Sequence, residues 1–426
     1  MSPTFRSFVV RNYRLFFLGA LVNNVGTWMG RTAQSWLVLT ELTDHSATAL
    51  GVVTALQFLP AVLLVPVAGV IADRFRKRHV LTATQASMAL AQLLTAVFVL
   101  TDTATLSLVY GVTFLHGVAA AIDTPARQAF VSEVVPPRLL PNAVGLNSAN
   151  FNTARLIGPG IAGLLIALIG TGGVFLVDAI SYAAIIGCLW GMNAEELRPA
   201  PRQQGPGGLR AGLAYVAQRP LVLLIFVIVF VHGTFAMNFQ MTTALMATEV
   251  FGKGPGEFGL LGSVMAIGSL AAALVAARRD RPRLRTVVGG LALFVVADAA
   301  AALAPGYVAF AILLVPVGVT AMTILPTANS MVQLAVEPEM RGRVMALYFA
   351  IFLGGTPVGA PVIGWVGEMW GARSTILVGA VADAILVVGV LVYLVRHRGV
   401  HLDLAAVRRA TSRPVPTPEP EPDPTA

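Results

Sequence analysis

Runs of about 20 apolar residues, each long enough for an α-helix to cross a bilayer, recur along the whole of this 426-residue chain. Only 12% of its residues are charged and 56% are hydrophobic, whereas about a quarter of an ordinary soluble domain is charged. The sequence therefore predicts an all-α membrane protein with 12 transmembrane helices. The predicted spans are 13–39, 47–72, 79–100, 104–126, 141–168, 172–193, 220–248, 257–277, 286–303, 306–331, 343–367 and 373–396.

The longest loop, which is rich in proline and glycine, divides these spans into two sets of six. We expect an N-terminal six-helix bundle over residues 1–193 and a C-terminal six-helix bundle over 220–398. A cytoplasmic linker over 194–219 would join them, with a surface helix at 209–218. The tail over 399–426 ends in PVPTPEPEPDPTA, a composition typical of disordered segments, so we expect it to be a disordered cytoplasmic tail.

The basic residues predict the orientation of the spans. Of the 29 Lys and Arg residues, Arg31 and Arg155 lie within spans, and Lys253 and Arg373 fall in loops on one side. The other 25 fall on the opposite side, which the positive-inside rule identifies as the cytoplasm. Both termini are then cytoplasmic. The same rule accounts for the net charge of +8 without nucleic acid as a partner, and the excess of Arg over Lys favours a bacterial plasma membrane.

Several chemistries lack the residues that they need. Cys188 is the one cysteine, which excludes an intrachain disulfide and metal sites built on thiolates. No HExxH pattern, nucleophile elbow or Walker loop stands out, so we expect neither an enzyme with catalytic residues nor an ATP-driven pump. We expect no cofactor or metal, and a chain that supplies both halves is expected to function as a monomer.

The stretch GVIADRFRKR, from Gly69 to Arg78, follows the second span. Gly69 allows two helices to approach closely, and Asp73 is a carboxylate beside four basic residues. The stretch resembles the loop signature G-x-L-A-D-R-x-G-R-K of the major facilitator superfamily, with Arg76 at the second glycine. The resemblance implies two pseudo-symmetric bundles latched in the outward-open state; an ordinary positive-inside loop is the alternative. The expected latch residues are Gly69, Asp73, Arg74, Arg76, Lys77, Arg78 and Arg127.

The fifth span carries small residues at helical spacing, which permit close helix contact, and a proline that can kink it. These residues are Gly145, Ala154, Gly158, Pro159 and Gly163. They resemble the antiporter signature of the same superfamily, with alanine at two glycine positions. The resemblance implies an exporter in which this stretch seals the cavity against leaks, and generic small-residue packing is the alternative.

Two longer stretches, 26–43 and 123–159, resemble the enterobactin-exporter-like and macrolide-efflux-like branch of drug:proton antiporters. A further signature of proton-coupled members is degenerate, because Thr113 stands where that signature has an arginine. Three intramembrane acids, Asp123, Asp178 and Asp383, are candidates for proton coupling, and a role in structural pairs is the alternative.

Polar residues recur on one face of the first span, and because they are costly in hydrocarbon they must face protein or water. The resemblance implies that spans 1, 4, 7 and 10 line a central cavity. The candidate cavity residues are Asn23, Asn24, Thr27, Arg31, Gln34, His116, Asn147, Asn150, Arg155, His232, Asn238 and Thr323.

Arg31 and Arg155 lie near mid-membrane with no acid on spans 1, 2 or 5, which favours an anionic, zwitterionic or neutral amphiphile such as a drug or siderophore. The alternative is that both arginines only hold helices together. We expect proton-coupled efflux by alternating access, with the small-molecule substrate, protons and the lipid bilayer as partners. A lysolipid or lipid flippase of the same fold is the first alternative, followed by an uncoupled carrier or a membrane enzyme.

Overall fold

A computed structural model describes residues 3–198, 209–276 and 282–396 of the chain. The predicted disordered tail over 399–426 lies outside the described residues, as does 199–208 of the predicted linker. The rest of that linker includes a helix close to the expected surface helix, and it ends at Ala217.

The described residues fold into α-helices with short connections and contain no strand. We number the helices along the chain: α1 (Arg11–Trp36), α2 (Ala47–Leu63), α3 (Val65–Arg74), α4 (Lys77–Leu100), α5 (Leu106–Val134), α6 (Leu140–Trp190), α7 (Leu209–Ala217), α8 (Pro220–Val231), α9 (Phe239–Leu245), α10 (Pro255–Ala276), α11 (Leu284–Ala302), α12 (Tyr307–Ala335), α13 (Pro338–Trp370) and α14 (Ala372–Arg396).

Nine helical stretches of the described residues are long and apolar enough to cross a membrane. The longest, Pro137–Trp190, has 54 residues and is broken at Gly170, whose φ of 72° lies in the left-handed region that favours glycine. The break separates the two apolar runs that the sequence predicts on either side of it. The exact number of crossings, twelve from the sequence, stays a prediction.

Two predicted spans are interrupted. The span predicted over 47–72 consists of two helices, because α2 ends at Leu63 and α3 begins at Val65. Pro66, near the start of α3, has no N–H to continue the helical hydrogen bonds. The span predicted over 220–248 contains π-helical turns at His232–Ala236 and Met246–Val250, and Met237 and Asn238 leave the helix between them. A π turn closes on the fifth residue, so it shifts the helix face without a signature in the apolar pattern.

The helices form two groups, which we call the N-terminal helices (α1–α6) and the C-terminal helices (α8–α14). In the first group α6 packs on α1 and α4, and α5 packs on α2 and α4. In the second group α12 packs on α10 and α11, and α14 packs on α11. Two helix pairs form the main contacts between the groups, α2 with α13 and α6 with α10, and α9 also contacts α1 and α2.

Glycines mark where the two groups touch. A Cβ at Gly51 of α2 would lie 2.5 Å from the carbonyl oxygen of Ala360 on α13, and one at Gly364 would lie 2.6 Å from the carbonyl oxygen of Ala47. Gly163 of α6 and Gly259 of α10 face each other so closely that a Cβ on either would overlap the opposing backbone. All four positions lie near the loops at 43–46 and 251–254, the arginine-poor end of the helices.

The opposite, arginine-rich end carries the turns at 75–76, 135–139 and 336–337. Near this end a Cβ at Gly69 of α3, Gly145 of α6 or Gly342 of α13 would meet no described atom within 4 Å. The close helix approach expected at Gly69 is therefore not made in this conformation. The two groups of helices are closed at the arginine-poor end and stand apart at the arginine-rich end.

Candidate functional site

A cavity of about 390 Å³ lies between the two groups of helices, within the range of small-molecule sites. Its lining comes from α1, α2, α6, α10, α12 and α13 and from 237–243 around the start of α9. This lining differs in one respect from the expectation that spans 1, 4, 7 and 10 form the cavity. The fourth span, α5, supplies no residue to it. Helices α2, α6, α10 and α13 take part because they close the cavity at the arginine-poor end.

Arg31 and Arg155 are the charged side chains of this lining, and no carboxylate appears among the described residues that form it. Both guanidinium groups lie over the ring of Trp28, at 5.2 Å and 5.8 Å from its centroid. The Arg31 guanidinium also lies 5.8 Å from the ring centroid of Phe58. These are cation–π distances, so two positive charges from different helices lie against the same indole ring.

The structure forms no ion pair within 4.0 Å at Arg31 or Arg155 among the described residues. Nη1 of Arg155 lies 3.9 Å from the thioether sulfur of Met322, and such a sulfur is a weak acceptor. Nε of Arg31 has no hydrogen-bond partner among the described residues. Buried charges are normally paired or ligand-bound, so this arrangement can accept an anion.

Asp178 lies beside the same helix and attracts Arg31 electrostatically, but the two groups form no ion pair within 4.0 Å. Its carboxylate is fully buried and accepts hydrogen bonds from Gln92 and Ser181. A Cβ at Gly30 would overlap that carboxylate, so the acid packs against a flat surface of α1. Its hydrogen-bonding capacity is taken up within the N-terminal helices.

Eight of the residues predicted for the cavity lie outside its lining, and several of them join α1 to α6. Asn24 donates to Oδ1 of Asn150 at 2.9 Å, and Asn150 donates to a backbone carbonyl of α1. Asn147 accepts from the hydroxyl of Tyr13. Thr27 donates to a backbone carbonyl of its own helix. The polar stripe of α1 is thus largely turned towards neighbouring helices.

A second buried cluster joins α1, α4 and α5 around Asp123. The carboxylate accepts from Thr84 at 2.8 Å, from Gln85 at 2.7 Å and from Nε of Arg127 at 2.9 Å. Arg127 also reaches Oδ1 of Asn23 at 3.4 Å. Arg127, predicted as part of the latch, is therefore engaged within the N-terminal helices in this conformation.

The other latch candidates have separate environments. Lys77 pairs with Glu133 at 2.7 Å, and Arg78 donates to the carbonyl of Trp190 at 3.0 Å. The side chains of Arg74 and Arg76 are exposed. The side chain of Asp73, the expected centre of the latch, lies outside the described residues.

The remaining cavity candidates are also apart from the lining. His116 on α5 packs edge-on against Tyr182. Thr323 donates to a carbonyl of its own helix. His232 is fully buried and pairs with Asp383 at 2.6 Å inside the C-terminal helices. The structure therefore brings Arg31, Gln34, Arg155 and Asn238 together from the predicted set.

Sequence reasoning missed Trp28, Phe58 and Met322. Trp28 precedes Arg31 by three residues, a spacing that places both on one helix face and that gives a usable signal. Phe58 and Met322 carry no such signal, because their approach to the arginines depends on how α2 and α12 pack.

The sequence is similar to those of several named membrane transporters. The model of the transmembrane secretion effector family matches residues 2–419. A staphyloferrin A transporter of Staphylococcus aureus is 34% identical over 41% of this chain and 44% of its own length. The multidrug efflux pump Tap of Mycolicibacterium fortuitum is 27% identical over 92% and 97% of the two chains. The enterobactin exporter EntS of Shigella flexneri is 23% identical over 90% and 91%.

Solved structures show the same fold at low identity. A bacterial homologue of the human lysosomal transporter Spinster, in an inward-facing and unoccupied conformation, matches with a TM-score of 0.69 at 16% identity over 95% of this chain and 99% of that chain. The xylose transporter XylE from E. coli, in an inward-open conformation, matches with a TM-score of 0.66 at 13% identity over 89% and 95%. With a family model that spans nearly its whole length, the chain belongs to the transmembrane secretion effector family of the major facilitator superfamily and is a membrane transporter.

Proposed function

We propose that this transporter exports a small anionic aromatic amphiphile from a bacterial cell by proton-driven alternating access. One observation carries the proposal: two arginines that form no ion pair among the described residues lie over one tryptophan ring, in a cavity whose described lining holds no carboxylate. The names of the relatives, a siderophore transporter, a multidrug efflux pump and a siderophore exporter, support export of such molecules.

The membrane arrangement belongs to the same proposal. Twelve crossings, with six in residues 1–193 and six in 220–398, follow if the broken helix α6 crosses twice and if α2 with α3, and α8 with α9, each cross once. The arginine-rich end then faces the cytoplasm by the positive-inside rule. Closure at the arginine-poor end makes the present conformation inward-facing, ready to take substrate from the cytoplasm.

Binding follows from charge and ring chemistry. An anionic group between Arg31 and Arg155 would pair with two guanidiniums that form no ion pair within 4.0 Å among the described residues. The surroundings have a low dielectric, so the attraction would be strong. The ring system of the ligand would meet the aromatic and methionine side chains of the lining. Export then requires the glycine contacts of α2 with α13 and of α6 with α10 to part while the arginine-rich end closes.

Three probes with one ring system and different charge test the substrate class: tritiated 1-naphthoate, 1-naphthalenemethanol and 1-naphthylmethylammonium. We expect the purified transporter to bind naphthoate in preference to the cation in a scintillation proximity assay. The double variant Arg31→Gln/Arg155→Gln should lose roughly 30-fold or more in naphthoate affinity, because a buried charge pair loses its partner. Arg138→Gln, an exposed arginine outside the cavity, is the matched control.

Transport is read in proteoliposomes that contain a pH dye. Naphthoate-evoked proton flux in the wild type, lost in the double variant, supports proton-driven anion export. Equal binding of all three probes, or an unchanged affinity in the double variant, contradicts the proposal. Movement of a fluorescent lysolipid with no naphthoate flux would instead identify a flippase.

A further inference from the structure

Three titratable side chains meet inside the C-terminal helices, away from the cavity lining. Nδ1 of His232 lies 2.6 Å from Oδ2 of Asp383, and both side chains are 0% exposed. Asp298 on α11 is 5% exposed, and its Oδ2 lies 3.4 Å from the position that a Cβ at Gly379 would take. Gly379 precedes Asp383 by four residues on α14, so the two residues lie on the same face of that helix. The carboxylate of Asp298, which reaches Gly379 from α11, therefore lies on the face of α14 that carries Asp383. We call His232, Asp298 and Asp383 the buried trio.

The charge of the buried trio is unbalanced. With both carboxylates ionised and the imidazole protonated, the trio carries one net negative charge, and one further proton makes it neutral. Burying a net charge in a low-dielectric interior is costly, so the neutral form is favoured wherever the trio is buried as it is here. Nε2 of His232 and Oδ1 of Asp383 also lack a hydrogen-bond partner among the described residues.

The helices that pack around the trio face it with apolar or small residues. From α11, Phe294 packs its ring edge-on against the His232 ring, with the two ring centroids 4.9 Å apart. From α13, Phe352 packs against Gly233 beside the histidine. Tyr348 and Arg373, on α13 and α14, are engaged elsewhere and donate to backbone carbonyls. His232 is thus the basic group that the described structure places against these carboxylates.

The trio connects to the cavity and to the closed end through one broken helix. His232 begins the π-helical turn His232–Ala236, and the chain leaves the helix at Met237 and Asn238, which line the cavity. Asn238 donates to the carbonyl of Thr234 at 2.8 Å. Two of the elements that pack on this turn, α13 and α14, therefore adjoin both the trio and the cavity wall.

The same turn also contacts the closed end. Gly359 of α13 packs directly on the backbone of Thr234, and the next residue, Ala360, packs against Gly51 of α2. A change in the charge of His232 and its partners is therefore two contacts away from the α2–α13 closure. A π-helical turn can change its hydrogen bonding more readily than a regular helix, so it can change conformation when the charge beside it changes.

We propose that the buried trio is the site that takes up and releases the coupling proton, and that the turn His232–Ala236 transmits its charge to the cavity and to the α2–α13 closure. This inference rests on the proposed proton-driven export. One proton from the external side binds a carboxylate of the trio and neutralises it, which favours the closed, buried state seen here. Its release to the cytoplasmic side restores the net negative charge and favours opening at the arginine-poor end.

Distances across the closure, measured without any substrate, test the inference. In a Cys188→Ser background, spin labels at the exposed residues Asp44→Cys and Met369→Cys flank the α2–α13 contact. Double electron–electron resonance in nanodiscs between pH 5 and 9 should show short distances at low pH and longer ones at high pH. One coupled proton changes the ratio of the two forms by at most about tenfold per pH unit.

Asp298→Asn and Asp383→Asn should each flatten this pH profile and hold the short distance at high pH, because each removes one carboxylate charge and the trio then no longer carries a net negative charge beside the protonated imidazole. Asp123→Asn and Asp178→Asn, which alter buried acids of the N-terminal helices, are the matched controls and should keep the wild-type profile. If an Asn variant does not purify as a monodisperse protein, Asp383→Glu replaces it and should shift the midpoint of the profile.

Three outcomes would overturn the inference: a wild type that does not respond to pH, trio variants that keep the wild-type profile or midpoint, or a profile flattened by Asp123→Asn or Asp178→Asn. Because no substrate is present, a negative result with naphthoate does not affect this measurement. Conversely, naphthoate export with a flat pH profile would keep the proposed substrate and reject the buried trio.

Discussion

The two groups of helices hold their buried charges in opposite ways. The N-terminal helices present Arg31 and Arg155 to the cavity without an ion pair among the described residues, while Asp123 pairs with Arg127 and Asp178 accepts a hydrogen bond from Gln92. The C-terminal helices keep Asp298 and Asp383 with His232 behind the cavity wall, and their described residues line the cavity with neutral side chains. The difference places the positive charges that a ligand would meet in one group of helices and the carboxylates of the proposed proton site in the other.

The strongest way to break this comparison is to place an acid on the neutral wall. Gln240 lines the cavity from α9, and Gln240→Glu adds a negative charge with almost no change in size. We expect naphthoate affinity to fall by about tenfold or more, since like charges across a desolvated site cost at least about 1.4 kcal/mol, and affinity for naphthylmethylammonium to rise. The scintillation assay with both probes measures the change.

Gln333→Glu is the matched control, because it makes the same change in the C-terminal helices at an exposed position outside the cavity. If both variants lower naphthoate affinity equally, the effect comes from net charge and not from the wall. If neither changes the selectivity, the arginines do not set the field of the cavity.

The sequence predicts much of this arrangement. Apolar length predicts the membrane helices and the division of α6 at Gly170, and the scarcity of charge makes Arg31 and Arg155 conspicuous. It does not predict the π turn at His232, because one extra residue in a turn leaves apolar composition unchanged. The pairing of His232 with Asp383, 151 residues later, is likewise a result of tertiary packing.

The contact between Gly163 and Gly259 is another case in which the sequence predicts a feature of one helix but not the helix that it packs against. The small residues of the fifth span indicate a close contact, and the structure supplies its partner on α10. The resemblance alone implies that predicted spans 1, 4, 7 and 10 line the cavity. The present conformation brings in α2, α6, α10 and α13, since a cavity lining depends on which end is closed.

Trp28 sharpens the comparison at an intermediate magnitude. Trp28→Leu removes the ring that both guanidiniums face and should weaken naphthoate binding by roughly 3- to 30-fold, the range of partly to fully desolvated cation–π contacts. Phe151→Leu is the matched control, because Phe151 lines the same cavity and contacts Trp28 edge-on without facing a guanidinium in the described structure. A loss as large in Phe151→Leu would mean that ring packing alone, and not the arginines, holds the ligand.

The smallest expected effect concerns a polar contact that the described C-terminal helices make to Arg155. The Met322 thioether lies 3.9 Å from Nη1 of Arg155, and sulfur is a weak acceptor, so Met322→Leu should change naphthoate affinity by no more than about threefold. Met265→Leu, the same change at another position of the lining, is the control. If Met322→Leu alone weakens binding more than tenfold, the C-terminal helices help to orient the guanidinium. The anion site would then belong to both groups of helices, and the division of charge between them would no longer describe how the transporter binds its substrate.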